Sequence, residues 1–408
     1  MLHLTGVDDG RLLLDLPWSV PLEEWPVEQL VALPRGISRH VVRFVRVEGR
    51  VYAVKEVGQH AAQREYRLLR DLGKLDVPSV EAVGIVDGRT SPTGEPLETA
   101  LITRHLQFSL PYRALFSQTL RPDTAVRLLD ALSVLLARLH SEGFYWGDCS
   151  LSNTLFRRDA GAFAAYLVDA ETGELHGTLS EGQRRYDLEI AHGNIIGELL
   201  DLQAGGLLDE NVDPIATGDD VIARYSCLWS ELTESEVIGL DERHRIAARV
   251  QRLNSLGFDV EELTISTEGG SSTVRIQPKV VDAGHHSRRL LRLTGLDVEE
   301  NQARRLLNDL DAYRTAALAD RDDEVAAHEW LANVFQPVVL AVPKELRGKL
   351  EQAEVFHEVL EHRWFLSEVA GRDVGLPAAV SSYVKEILPT KPDERAVLGS
   401  RLGPASTA

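Results

Sequence analysis

The sequence predicts an α+β protein of more than one domain, and three observations carry that prediction. Between residues 37 and 106, β-rich runs surround a single stretch with helical spacing. Between 122 and 180, a long apolar-periodic helix leads into a polar loop and a short strand–turn–strand. From about 183 onward helical spacing dominates, broken by one hairpin-like segment, "FDVEELTISTEGGSSTVRIQPKVV". A chain of 408 residues is long enough for each part to bury its own core.

The elements follow in order. Residues 1–34, rich in Leu, Pro and Trp, read as an extension lying across another element. "HVVRFVRVEGRVYAVKEV" is two β-rich runs around a turn at Glu48-Gly49-Arg50. "HAAQREYRLLRDLGKL" places Tyr66, Leu69 and Leu72 on one helical face, with Gly73 as a stop signal. Two further strands, "VPSVEAVGIVDG" and "EPLETALITRHL", flank a turn at "SPTGEP". The strongest helix is "PDTAVRLLDALSVLLARLHSEG", with Pro122 near its start and Gly143 at its end.

Composition narrows the function. Hydrophobic residues at 44% and charged residues at 26% suit a folded globular chain. A formal net charge of -19 opposes bulk affinity for nucleic acid or anionic membrane, yet leaves room for a local basic nucleotide pocket. No run of about 18 apolar residues predicts membrane insertion. The N-terminus lacks a basic start and a small-residue cleavage site, so a cytoplasmic location is expected. With only Cys149 and Cys227, neither a disulfide framework nor a zinc knuckle is expected.

The chemistry-bearing residues match what phosphoryl transfer needs: a cation on the phosphates, a carboxylate to orient it, metal ligands, and a carboxylate for the nucleophile. Lys55 lies in the strand "VYAVKEV", where a partnerless inward lysine would be costly. An edge-strand lysine pointing to water reads equally well. Glu65, on the next helix, can pair with it, although any helix carries a Glu. The loop "PRGISRHVV" has Gly36, with Ser38, Arg39 and His40 beside it, where a phosphate cover would sit, or is an ordinary basic turn. In "GDCSLSN", Asp148 and Asn153 have catalytic-loop spacing, between a long helix and the strand "TLF". Asp169 follows the strand "YLV", with Glu171 beside it as a second acid for metal; a lone Asp after a strand is otherwise a turn former.

On these residues the chain resembles the protein-kinase-like superfamily, and is most similar to its atypical bacterial branches, the lipopolysaccharide-core kinases and the aminoglycoside or choline phosphotransferases. It also resembles a bacterial family of unknown function that joins such a part to its own helical domain. The resemblance implies a two-lobed protein-kinase-like fold with an additional mainly helical C-terminal domain. It divides the chain into an extension (1–34), an N-lobe (35–106), a C-lobe (107–238) and a helical domain with a β-hairpin (239–400). It implies ATP and Mg2+ as cofactors and a phosphotransferase acting on an unidentified acceptor. Lys55, Glu65, Ser38 and Arg39 would serve the nucleotide, with Arg104 and His105 in the adenine hinge. Asn153, Asp169 and Glu171 would serve the metal, and Asp148 the nucleophile. Asp187 would brace the catalytic loop from below. Trp146-Gly147 replaces the usual His or Arg before the catalytic Asp, the glycine loop is reduced to Gly36, and no Phe-Gly follows Asp169. Inactive kinase relatives show such losses too, so a nucleotide-binding regulatory module is the alternative, and nucleotidyl transfer a third.

Two features of the C-terminal half remain. His285, His286, Arg288, Arg289 and Arg292 form the most basic stretch, either an anion site or a solvated helix start. Glu354 and His357 make an E-x-x-H pattern that suits a metal, or intrahelical pairs such as His357–Glu361 and Glu358–His362. Trp364 and Phe365 are expected to anchor that helix to the core.

Overall fold

The computed structural model describes residues 2–6, 13–31, 33, 40–116, 122–209, 211–234, 236–239, 248–249, 251–253, 258–266, 273–317 and 321–395. The chain folds as two compact units. One is Met1–Phe156 with Ala165–Arg224; the other is Arg157–Ala164 with Tyr225–Arg395.

The first unit opens with a five-stranded antiparallel sheet. Its strands are β1 (His3–Gly6), β2 (Val42–Val47), β3 (Arg50–Val57), β4 (Ala82–Asp87) and β5 (Thr99–Arg104), in the order β1-β4-β5-β3-β2. Glu48 and Gly49 both take positive φ, which gives the β2–β3 hairpin the twist that flanking strands require. Alternation along β3 buries Tyr52 and Val54 under the N-terminal segment, whose Trp18 and Trp25 meet edge to face at 5.3 Å. Buried Arg89 ties that segment down, donating to the carbonyls of Trp18 and Val20 and to Glu56. Lys55 belongs to the opposite face, toward helix α1 (Gln59–Lys74). That helix runs through Gly73 and turns out at Asp76, whose φ of 53 makes Asp76, not Gly73, the left-handed residue.

The chain continues as helices around short strands, of which Arg157–Ala164 and the residues from Tyr225 onward count with the second unit. Strands β6 (Leu110–Pro111), β8 (Thr154–Asp159) and β9 (Ala162–Leu167) form one small sheet; β7 (Phe144–Tyr145) pairs with β10 (Glu174–Leu175). Helices α2 (Tyr112–Phe116), α3 (Pro122–Ser141), α4 (Glu181–Ala204) and α5 (Pro214–Thr233) surround them in sequence. Gly143 ends the α3 connection at φ 76, and a Cβ there would lie 2.2 Å from the His176 carbonyl oxygen. A capping box between Ser180 and Gln183 starts α4.

The second unit contains the expected hairpin. Strands β11 (Glu236–Gly239), β12 (Phe258–Ser266) and β13 (Thr273–Ala283) form an antiparallel sheet in the order β11-β13-β12. Helices α6 (His285–Thr294), α7 (Glu300–Ala317), α8 (Asp323–Trp330), α9 (Gln336–Leu340), α10 (Gln352–Ala370) and α11 (Leu376–Ser382) follow. Their core centres on Trp330, Phe335 and Phe356, whose rings lie 5.2 to 5.8 Å apart. No described helix is long and apolar enough to cross a membrane.

Candidate active site

The strand β3 and the helix α1 bring Lys55 and Glu65 together. Lys55 Nζ lies 2.9 Å from Glu65 Oε2, 2.8 Å from Asp169 Oδ2 and 3.4 Å from Glu171 Oε2. Residues 114 positions apart thus share one ion pair, which only the folded chain creates. Glu65 is buried at 2% exposure, whereas Asp169 and Glu171 retain 27% and 25%. Three carboxylates therefore surround one ammonium, with the open side lined by Asp169 and Glu171. Each contributes an oxygen, and these oxygens lie within 4.8 Å of one another. That is a set of hard oxygen donors with surplus negative charge, which suits Mg2+.

The titration of these groups follows from that surplus. Burial alone would lower the Lys55 pKa, but the charges of Glu65 and Asp169 overcome it and hold the ammonium above the ordinary lysine range. Burial, then the neighbouring Asp169 charge, push Glu65 up to about 7, against the pull of Lys55.

The catalytic-loop candidates are placed by α3, β8 and α4. Gly147 takes φ 75, and a Cβ there would meet the Tyr145 ring at 2.9 Å, so glycine is needed before Asp148. Asn153 Nδ2 donates to Asp148 O at 3.0 Å and to Asp148 Oδ2 at 3.2 Å. That fixes the amide and leaves Asn153 Oδ1 as its acceptor atom. Across the β8–β9 hairpin, Val168 N–H donates to Asn153 O at 3.0 Å, which brings the Asp169 root beside the Asn153 root. Trp146, standing where a His or Arg is usual, is fully buried; its indole N–H donates to Asp169 O at 2.9 Å. The substitution thus supplies a direct tie between the loop and Asp169. Asp187 accepts the backbone N–H groups of Trp146 and Gly147 at 2.8 and 2.7 Å and pairs with His140 at 3.1 Å. This is the brace expected of it.

Of the other nucleotide-site candidates, Ser38 and Arg39 lie outside the described residues, as does Gly36. Arg104 pairs with Glu81 at 3.1 Å. The backbone N–H groups of Arg104 and His105 already donate to Glu81 O and Val51 O. Burial lowers the His105 pKa to about 4. Asn194 and Glu198 escape the sequence reading, and His40 enters it only as a member of the "PRGISRHVV" loop. His40 Nε2 sits 3.0 Å from Glu171 Oε2. Asn194 and Glu198, both on α4, reach the loop that carries Asp148 and Asn153. Asn194 and Glu198 share a helix face with Asp187, and that spacing was the available signal.

In the second unit several of the acids singled out from the sequence are held by donors of the protein itself, whereas buried His357 has no hydrogen-bond partner for either ring nitrogen among the described residues. Glu300 accepts from the N–H groups of His286 and Ser287 and pairs with His286 Nδ1 at 2.6 Å, so a carboxylate occupies the start of α6. The backbone donors at the start of the basic stretch are thus taken by Glu300. Glu354 accepts from Ala160 N and Gln302 Nε2, and His357 lies 3.4 Å from Glu361. Glu358 turns away from His362 to Tyr383 and Lys391, both at 2.7 Å. Among the described residues, Glu65, Asp169 and Glu171 are the group with metal-holding geometry. Trp364 and Phe365 are 65% and 58% exposed, so they do not anchor α10 to the core; its buried side is Val355, Phe356 and Val359.

Fold and site together define the class: the N-terminal part of the chain is protein-kinase-like. Within that class, residues 44–193 match the model of the Lipopolysaccharide kinase (Kdo/WaaP) family. Residues 227–388 match a Domain of unknown function (DUF4032), which fits the separate helical C-terminal part. A solved structure titled "WaaP in complex with acyl carrier protein" is 18% identical, with a TM-score of 0.38, over 62% of this chain and 99% of that chain. No curated protein matches the chain.

Proposed function

We propose that the chain is an atypical kinase-type phosphotransferase that binds ATP with Mg2+ and acts on an acceptor still to be identified. The observation that carries this reading is the shared contact of Lys55 with Glu65 and Asp169. Lys55 would hold the α- and β-phosphates while Glu65 orients it. Asp169, Glu171 and Asn153 Oδ1 would hold the cation, which when bound offsets the charge on the phosphates. Ser38 and Arg39 would cover the phosphates, and the segment through Arg104 and His105 would back the base. Asp148 receives the proton. As the acceptor hydroxyl oxygen bonds to the γ-phosphorus, the bond from that phosphorus to the bridging oxygen breaks and its electron pair leaves on ADP. The hydroxyl proton passes to the Asp148 carboxylate.

Calorimetry of the full chain with ATP, with and without Mg2+, tests the reading. Binding that requires Mg2+ is expected, and no binding in either condition overturns it. The mass added to an acceptor, about 80 Da for phosphate against about 329 Da for AMP, then separates phosphoryl from nucleotidyl transfer.

A further inference from the structure

Helix α4 meets the catalytic loop with three polar side chains at positions 187, 194 and 198. Steps of seven and four residues lie on one helical face. That face is otherwise apolar: Ala191, Ile195, Leu199 and Leu202 are all buried along it. A polar residue among them is costly unless it finds partners; each of the three finds partners in the loop, and Asp187 also pairs with His140 on α3. Asp187 accepts the N–H groups of Trp146 and Gly147. Glu198 accepts those of Leu151 at 2.7 Å and Ser152 at 3.1 Å. Between them, Asn194 Nδ2 does the reverse. It donates to Asp148 Oδ1 at 3.1 Å and to Cys149 O at 3.2 Å.

The middle position differs chemically from its neighbours. At 148–149 the loop presents a carboxylate and a carbonyl, both acceptors, so an acid at 194 would repel them. A lysine or arginine would neutralise the carboxylate that must take a proton. A neutral amide grips without quenching. Asp148 then has a neutral donor on each oxygen, Asn153 on Oδ2 and Asn194 on Oδ1. Each oxygen keeps a further lone pair for an incoming hydroxyl.

We propose that Asn194 is the positioning residue that sets the plane of the Asp148 carboxylate for the acceptor; this rests on the phosphotransferase reading. The test uses full-length wild type, Asn194→Ala and Asn194→Asp. Crystal structures read the Asp148 rotamer, calorimetry reads Mg2+·ATP affinity, and ADP release from Mg2+·ATP with water as the acceptor reads kcat and KM.

In Asn194→Asp the Asp148 carboxylate rotates away and kcat falls about 100-fold, the scale of a misplaced reacting group. Asn194→Ala, which removes the donor without adding repulsion, falls about tenfold. Affinity and KM for ATP stay within about twofold, because Asn194 touches none of the groups around Lys55. An unmoved Asp148 rotamer in Asn194→Asp overturns the inference whatever the wild type does. So does a kcat loss that comes with an equal loss of affinity. Absent ATP turnover in the wild type, with a rotated Asp148 in Asn194→Asp, overturns the phosphotransferase reading and leaves the positioning contact standing.

Discussion

Two charged clusters, one in each unit, use the same residue types to opposite ends. Around Lys55, three carboxylates face one ammonium, and two of them are partly open to water. In the second unit, Arg157 pairs with Glu299 and Glu351 at 2.9 and 2.6 Å, and Arg158 pairs with Glu394 at 2.7 Å. Asp159 there accepts from the N–H of Gln302 and from both Asn301 nitrogens, and Glu354 accepts two more N–H groups. Burial, then the Glu299 charge, push Asp159 up to about 7, although those hydrogen bonds oppose the rise. The second cluster is closed by donors of the protein itself. Both clusters hold more carboxylates than cations, but in the first Asp169 and Glu171 stay partly open to water, and that access is what lets a cation reach the acids.

The largest test of this contrast is Asp169→Ala. It should cut Mg2+-dependent ATP affinity by about 100-fold or more, the scale of losing one electrostatic clamp, while circular dichroism shows the fold intact. Equal affinity would remove Asp169 from the site. Lys55→Ala should weaken ATP binding by about 10- to 100-fold in the same calorimetry. Because it leaves the acids without their ammonium, Mg2+ alone should bind more tightly to this variant than to wild type.

The matching change in the second cluster is Arg158→Ala, which leaves Glu394 buried and unpaired. It should cost about 3 kcal/mol in denaturant unfolding, with ATP affinity unchanged. If ATP affinity fell with stability, the two clusters would not be independent.

The smallest effects are in pH. Glu65 has its folded pKa raised to about 7 from 4.5. Its contribution to stability is therefore present below about 4.5 and lost as pH rises through 7. A cation competes with that proton, so Mg2+·ATP binding near pH 6.5 should release protons and tighten with rising pH. Calorimetry in buffers of different ionisation enthalpy measures the release, and Glu65→Gln should abolish it. Glu300 shows the opposite sign. Burial would raise it, but hydrogen bonds from His286 and Ser287 hold it at about 2. Its contribution is present above 4.5 and lost as pH falls through about 2, which acid unfolding of Glu300→Gln would show as a missing step.

The sequence by itself determined the local elements and the order of the kinase-like residues. The β2–β3 hairpin, α1, α3 and the β12–β13 hairpin were legible because period and turn chemistry act over a few neighbours. The Asp148–Asn153 spacing was legible because one loop carries both residues. Whether Lys55 faced water or acid was not. The answer came from Asp169, more than a hundred residues away, and only packing brings that carboxylate within 2.8 Å. For the same reason Asn194 and Glu198 passed as ordinary helix residues until α4 was seen to turn that face to the loop. Trp364 and Phe365 passed as anchors until α10 was seen to bury Phe356 and Val359 instead. Periodicity says that a helix has a face; only the tertiary structure decides what the face meets, because that depends on elements with no fixed distance along the chain.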